Sequence, residues 1–201
     1  MANIDNVVSE FENQIIQIIR ENPGNVMDVL RNTMLNIQII AERDYPNVPN
    51  MLTLVLNNPN SLVHPLEYAC IFGDNMAIAQ LLLEFGSNIN SHGNMDGNTP
   101  LHNAVLSGNA DLVNFLLVRG ANINEIDDIN EQTPLQRAEA LQAQPNNNRD
   151  RTAIIELLRN FNGNQQQVAP VNGGRRKRTY KRKRSYKRKN SYKRRRRTNR
   201  K

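Results

Sequence analysis

The chain has 201 residues with 26 Lys+Arg and 19 Asp+Glu, a formal net charge of +7. That average hides a partition: 18 of the 26 basic residues lie at 175–201, leaving 8 basic and 19 acidic residues (8 − 19 = −11) before them. A single cysteine excludes an internal disulfide, and no apolar run approaches the roughly 18 residues of a membrane-spanning helix. The N-terminus lacks the charged and apolar regions of a signal peptide, so we expect a nuclear or cytoplasmic location.

The first sixty residues show apolar side chains at helical spacing. The pattern predicts helices over residues 5–21, 26–43 and 50–56. Thr33 precedes two apolar residues much as His64 does 31 positions later. We therefore predict that residues 1–60 form an N-terminal helical cap with a degenerate repeat that begins near Thr33, because the exposed end of a stack of repeats must be polar.

A unit of about 34 residues then repeats along the chain. Thr99-Pro100-Leu101-His102 is echoed by Thr133-Pro134-Leu135-Gln136, and a weaker copy begins at His64-Pro65-Leu66. Threonine suits the N-cap of a helix and proline suits its first turn. Glycines at 108 and 120 should end a short helix and a second helix over residues 110–118. A single pair of such helices cannot bury both of its apolar faces, so neighbouring pairs must stack.

These motifs, with a Gly-Ala-Asn-Ile-Asn run after the second helix, resemble the ankyrin repeat family. The resemblance implies an all-α solenoid with hairpin-like loops and three repeats in residues 61–163, at about 61–95, 96–129 and 130–163. The first repeat departs from the family pattern at His64, and the third departs at Gln136. Residues 144–148 look like an insertion between the helices of the third repeat. With its short repeat array and basic tail, the chain resembles ankyrin proteins of large DNA viruses or intracellular bacteria. That resemblance implies a role in host interaction or in genome packaging.

The resemblance also implies where a protein partner binds. Ankyrin proteins hold partners at their hairpin tips and on the adjoining concave face. Carried over by position, this gives eight candidate protein-binding residues in two hairpins: His92, Asn94, Met95, Asp96, Ile126, Asp127, Asp128 and Asn130.

After a predicted linker at 164–174, residues 175–201 repeat a Tyr-Lys-Arg unit with a period of six. This segment, the basic tail, is too charged and too poor in apolar residues to form a core, so we predict that it is disordered. Lysine and arginine neutralise phosphates, and tyrosine can stack on exposed bases. The candidate nucleic-acid-binding residues are Arg175, Arg176, Lys177, Arg178, Tyr180, Lys181, Arg182, Lys183, Arg184, Tyr186, Lys187, Arg188, Lys189, Tyr192, Lys193, Arg194, Arg195, Arg196 and Arg197.

Three other roles for the basic tail stay open: a nuclear localisation signal, binding to anionic lipid, and pairing with the chain's own acidic residues. Each of four hydroxyl residues in the tail has an arginine three positions upstream, which is the context of a basophilic kinase, and phosphorylation would reduce the tail's charge. These possible phosphorylation sites are Thr179, Ser185, Ser191 and Thr198.

No motif of an enzyme, cofactor site or metal site occurs in the sequence. The three histidines do not form a metal-ligand set, and Cys70 fits a buried apolar position better than a nucleophile. We therefore predict a non-enzymatic adaptor without a cofactor, whose ankyrin face binds a protein and whose tail binds DNA, RNA or an import receptor. The alternatives are a structural protein that condenses or packages nucleic acid, and an adaptor tethered at a membrane surface.

Overall fold

The computed structural model describes residues 4–22, 24–48, 50–72, 75–93, 95–144 and 149–165, the last four by their backbone alone. The basic tail and most of the predicted linker lie outside these residues. The described helices are α1 (Ile4–Glu21), α2 (Val26–Asp44), α3 (Met51–Leu56), α4 (Pro65–Ile71), α5 (Met76–Glu84), α6 (Pro100–Ser107), α7 (Ala110–Val118), α8 (Pro134–Gln142) and α9 (Thr152–Gln165).

The helices from α4 onward form three successive pairs, α4–α5, α6–α7 and α8–α9. The first helix of each pair packs against the first helix of the next pair, so α4, α6 and α8 form an inner row. An alanine occupies the same place in each of these helices, at 69, 104 and 138, and all three are fully buried. Because alanine has the smallest apolar side chain, the inner helices can lie close together.

Local capping chemistry fixes where the inner helices begin. The Thr99 side chain accepts a hydrogen bond from the His102 amide, and the Thr99 amide donates to His102 Nδ1 at 3.2 Å. Thr133 and Gln136 form the same reciprocal pair at the start of α8. Each pair satisfies two backbone N–H groups that have no partner inside the helix. The predicted helix starts at Pro100 and Pro134 therefore match the structure.

The N-terminal helices are arranged differently from the predicted register. Thr33 lies in the middle of α2, which continues unbroken to Asp44, so it caps no helix. It is α1 that packs beside α4, whereas α2 packs against α5. The position of an inner helix before the first repeat is thus taken by α1, whose buried stripe comprises Val8, Glu12, Ile15 and Ile19.

A buried polar cluster lies where α1 meets the loop before α4. His64 takes the N-cap position of α4 but makes no side-chain cap. Instead, its Nδ1 lies 2.7 Å from Glu67 Oε1 and its Nε2 lies 3.0 Å from the Asn58 carbonyl oxygen. The Asn58 side chain donates to the buried carboxylate of Glu12 at 2.8 Å. Both ring nitrogens of His64 therefore face oxygen acceptors, an arrangement that favours the imidazolium.

Two side chains of this cluster, His64 and Glu12, have pKa values above their ordinary ones, for different reasons. Burial alone would lower the pKa of His64, but the hydrogen bond and the charge of Glu67 outweigh it and raise that pKa. Burial raises the pKa of the Glu12 carboxyl. A folded-state pKa above the unfolded value adds stability that is present at low pH and is lost as the pH rises.

We predict that the free energy of unfolding falls as the pH rises from the ordinary pKa of His64, 6.5, through its raised folded value. The variant His64→Gln should show a shallower fall, because glutamine does not titrate. Chemical denaturation of the natural chain and of the variant at a series of pH values measures both slopes. Equal slopes in the natural chain and His64→Gln would contradict the assignment.

Two arginines from the loop between α8 and α9 cap the C-terminal end of α6. Arg151 is 5% exposed, and its guanidinium donates to the carbonyl oxygens of Val105 at 3.2 Å and Leu106 at 3.0 Å. Arg149 donates to the carbonyl oxygen of Ser107. The last carbonyls of a helix lack partners within it and carry partial negative charge, so a cation stabilises this end. The segment that looks like an insertion thus leads into residues that join the second and third repeats.

Replacing Arg151 with methionine should lower the free energy of unfolding by about 2–3 kcal/mol, because buried carbonyl groups lose charged hydrogen-bond donors. Arg159→Met is the matched control. Arg159 pairs with Glu139 at the surface, with the two side chains 61% and 41% exposed, so its loss should cost less than about 1 kcal/mol. Urea denaturation measures both changes, and equal losses would refute the capping role.

Candidate protein-binding face

The loops that precede α6 and α8 span residues 88–99 and 122–133, with residue 94 outside the described residues, and we call them the first and second hairpins. In the second hairpin the Asp127 amide donates to the carbonyl oxygen of Gln132 at 3.0 Å. The Asp127 carboxylate turns back into the loop, where it accepts from the amides of Ile129 and Asn130. In the first hairpin Asp96 accepts from the Asn98 amide at 3.0 Å and from its side chain at 2.7 Å. Aspartates therefore hold the turns of both hairpins.

Adjacent loops are joined through their backbones. The Asp128 amide donates to the carbonyl oxygen of Asp96 at 2.9 Å, and the Met95 amide lies 3.4 Å from the carbonyl oxygen of Leu62. A Cβ atom on Gly93 would lie 2.0 Å from the Leu62 oxygen, and one on Gly97 would lie 2.6 Å from Asp128 Cγ. Only glycine permits such close approaches. The loop that holds Leu62 and the loops at 88–99 and 122–133 therefore form one continuous row, which we call the hairpin face.

Side chains below the hairpin face add further links between repeats. His102 Nδ1 accepts from Thr99, which leaves Nε2 as the donor to the Gln132 carbonyl oxygen, 3.0 Å away. Burial lowers the pKa of His102, in keeping with the neutral ring that this pattern needs. Asparagines add a second series, in which Asn57 accepts from the Asn88 amide at 2.6 Å and Asn90 accepts from the Asn122 amide at 2.8 Å. These contacts make the hairpin face a preorganised surface.

The structure places most of the predicted binding residues on this face. His92, Met95, Ile126, Asp128 and Asn130 are exposed, and Asp96 is half-buried. Asn94 lies outside the described residues.

Asp127 requires a correction. Its side chain is 1% exposed, because its carboxylate accepts hydrogen bonds from the loop that it shapes. It therefore supports the hairpin face from within and does not offer a contact to a partner.

Sequence reasoning missed three exposed residues of the same face. Leu62 and Ile129 are 63% and 68% exposed, and Glu131 is also exposed. The repeat alignment held the signal for Ile129, because it stands four residues before Thr133 as Met95 stands four before Thr99. Glu131 likewise takes the position of Gly97, and both have positive φ values, 55° and 69°.

The described residues give little basis for metal or thiol chemistry. Within them, no group of three or more His, Cys, Asp and Glu side chains is placed to hold a metal ion. Cys70 is fully buried in α4, and burial raises the pKa of its thiol, which opposes the reactive thiolate. Among the described helices, none is long and apolar enough to cross a membrane.

A family model described as ankyrin repeats (3 copies) matches residues 37–127 and 66–167. The chain belongs to the ankyrin repeat family. The match spans more than half of the chain, and it confirms the predicted all-α ankyrin solenoid. Ankyrin repeats are protein–protein interaction modules, so this chain contains such a module. Among curated proteins, none matches the chain.

The close contact at Gly97 gives a test of the hairpin face. Gly97→Ala should lower the free energy of unfolding by more than the roughly 1–2 kcal/mol expected for a left-handed residue, because its Cβ would also meet Asp128. Gly120→Ala is the matched control, since Gly120 has a φ of 92° but no atom within 4 Å of a Cβ placed there. Thermal and urea denaturation compare the two variants. Equal losses would mean that the hairpins are not held together at Gly97.

Proposed function

We propose that this chain is a non-enzymatic adaptor that holds a protein on its hairpin face and nucleic acid on its basic tail. The observation that carries the proposal is the separation of charge. The chain up to residue 174 has a net charge of −11 (8 − 19), and the 27 residues after it have 18 cations and no acid. An acidic body repels phosphate, so a polyanion would be bound by the tail.

The protein-binding half rests on the hairpin face. Its backbone hydrogen bonds and glycine contacts fix the loops before a partner arrives, which reduces the entropy that binding costs. Exposed apolar side chains such as Met95 and Ile126 supply apolar surface that a protein partner could bury. Adaptor function needs no catalytic group.

The nucleic-acid half rests on the composition of residues 175–201. If about ten of the tail's cations contacted phosphate, log K would fall with log salt at a slope of roughly −9. A tail that serves only as a nuclear localisation signal would lack this binding but would still direct the chain to the nucleus. Phosphorylation at Thr179, Ser185, Ser191 and Thr198 would weaken phosphate binding through added negative charge.

Fluorescence anisotropy of a short labelled DNA and a matched RNA, with the full chain over a range of salt concentrations, tests the nucleic-acid half. Arg182→Gln combined with Arg188→Gln should reduce the magnitude of the salt slope by about two, because each arginine neutralises about one phosphate. The matched control replaces Arg43 and Arg159, two exposed arginines of the helical body, and should leave the slope unchanged.

Replacing all tail lysines and arginines with glutamine should abolish binding, and persistent binding would refute the proposal. Light scattering of the same mixtures distinguishes the packaging alternative, because condensation gives large particles at charge neutralisation whereas an adaptor gives a discrete complex. Vesicles containing anionic lipid test the membrane-tethered alternative, which requires binding that depends on that lipid.

A further inference from the structure

One strongly exposed apolar residue lies in each of three adjacent loops, the loop before α4 and the two hairpins, and we call these three residues the apolar stripe. Leu62, Met95 and Ile129 are 63%, 62% and 68% exposed, one in each loop. The first two adjoin through the backbone contact between Met95 and Leu62, and the next two loops are joined by Asp128 and Asp96. Scattered single apolar residues are ordinary on a protein surface, but a row on loops that backbone hydrogen bonds join indicates a contact surface.

Acidic side chains flank this stripe. Asp128 and Glu131 are exposed, and Asp96 and Glu125 are half-buried. The two hairpins contain no lysine or arginine, and none occurs anywhere between Arg43 and Arg119.

From this combination we infer that the hairpin face binds a linear, positively charged segment of another protein that carries apolar side chains between its lysine and arginine residues. The inference rests on the proposed adaptor function and names the chemistry of its protein partner. Complementary charge would speed association and reject acidic segments, while the apolar side chains would provide most of the stable contact. The partner comes from another protein because the chain's own basic tail, residues 175–201, contains no aliphatic side chain to contact the apolar stripe.

The face itself accounts for both parts of this specificity. Leu62, Met95 and Ile129 lose apolar surface to a partner's aliphatic side chains, and that contribution does not depend on salt. The carboxylates of Asp128 and Glu131 attract cations over roughly a Debye length, about 8 Å at physiological ionic strength, and this contribution weakens as salt is added. The affinity of a suitable ligand should therefore fall as salt is added, but the part that comes from apolar contacts should remain.

The probe is a fluorescent peptide of repeated Lys-Leu-Arg-Ser units, titrated with the full chain and followed by anisotropy. Two further peptides separate the contributions: one has glutamate in place of each lysine and arginine, and the other has serine in place of each leucine. With the chain whose tail lysines and arginines are all replaced by glutamine, so that the tail cannot attract the glutamate peptide, we expect the first peptide to bind at least about tenfold more tightly than either of the others, because only it has both positive charge and apolar anchors. Equal binding by the serine peptide would overturn the requirement for apolar side chains.

The test variant combines Met95→Gln, Ile129→Gln and Glu131→Gln, all at exposed positions of the hairpin face. It should weaken binding of the first peptide by at least about tenfold. The matched control combines Leu35→Gln, Ile39→Gln and Glu42→Gln on α2, which also removes two exposed apolar residues and one acid, and should keep the affinity within about twofold. Unchanged affinity in the first variant would overturn the location of the site.

The chain with all tail cations replaced by glutamine decides whether the tail itself is the occupant. Binding of the first peptide to this variant but not to the natural chain would show that the tail covers the face, which overturns an outside partner. Tight binding of the glutamate peptide to this variant, whose tail no longer attracts acids, would reject the cationic partner yet leave protein binding intact. Absence of binding by all three peptides would overturn the inference. A failure of the proposed nucleic-acid binding would appear separately, as absence of binding in the DNA titration.

Discussion

The packing of inner helices against one another is the contact on which the rest of this structure depends. Each of α4 and α6 packs against an inner helix on both sides, and alanines at 69, 104 and 138 let the backbones approach. Because a lone pair of helices leaves one apolar face in water, no repeat is stable without its neighbours. The order of the hairpins follows from this stacking, since each hairpin leads into an inner helix.

Stacking also explains why the ends of the repeat array depart from the repeat pattern. At the N-terminal end α1 covers α4 and buries Glu12 and His64 at the junction. Toward the C-terminal end Arg149 and Arg151 bind the carbonyl end of α6. Both solutions place charged groups at a boundary where apolar packing alone would leave polar backbone or side-chain groups without partners. The departures at His64 and after Gln144 therefore have structural reasons.

The hairpin face combines rigidity with a single sign of charge. Hydrogen bonds between backbones and close glycine contacts hold the loops, whereas the apolar side chains of Leu62, Met95 and Ile129 are left exposed. These three side chains lie outside the hydrophobic core that the described residues form. The acidic groups beside this face and the 18 cations of residues 175–201 lie in separate parts of the sequence.

Much of the fold could be predicted from the sequence because its causes are local. Thr99, Pro100, Gly108 and Gly120 each set the backbone within a few residues, so helices α6 and α7 follow from the chain itself. The placement of α1 beside α4, the reach of Arg151 to α6 and the burial of Asp127 depend on residues far apart in sequence. Sequence periodicity predicts which face of a helix is apolar, but it does not predict which other helix will pack against that face. The sequence thus determined the repeats, their caps and the division of charge. The tertiary structure alone decided which loop residues are exposed and which are buried, because exposure depends on packing between repeats.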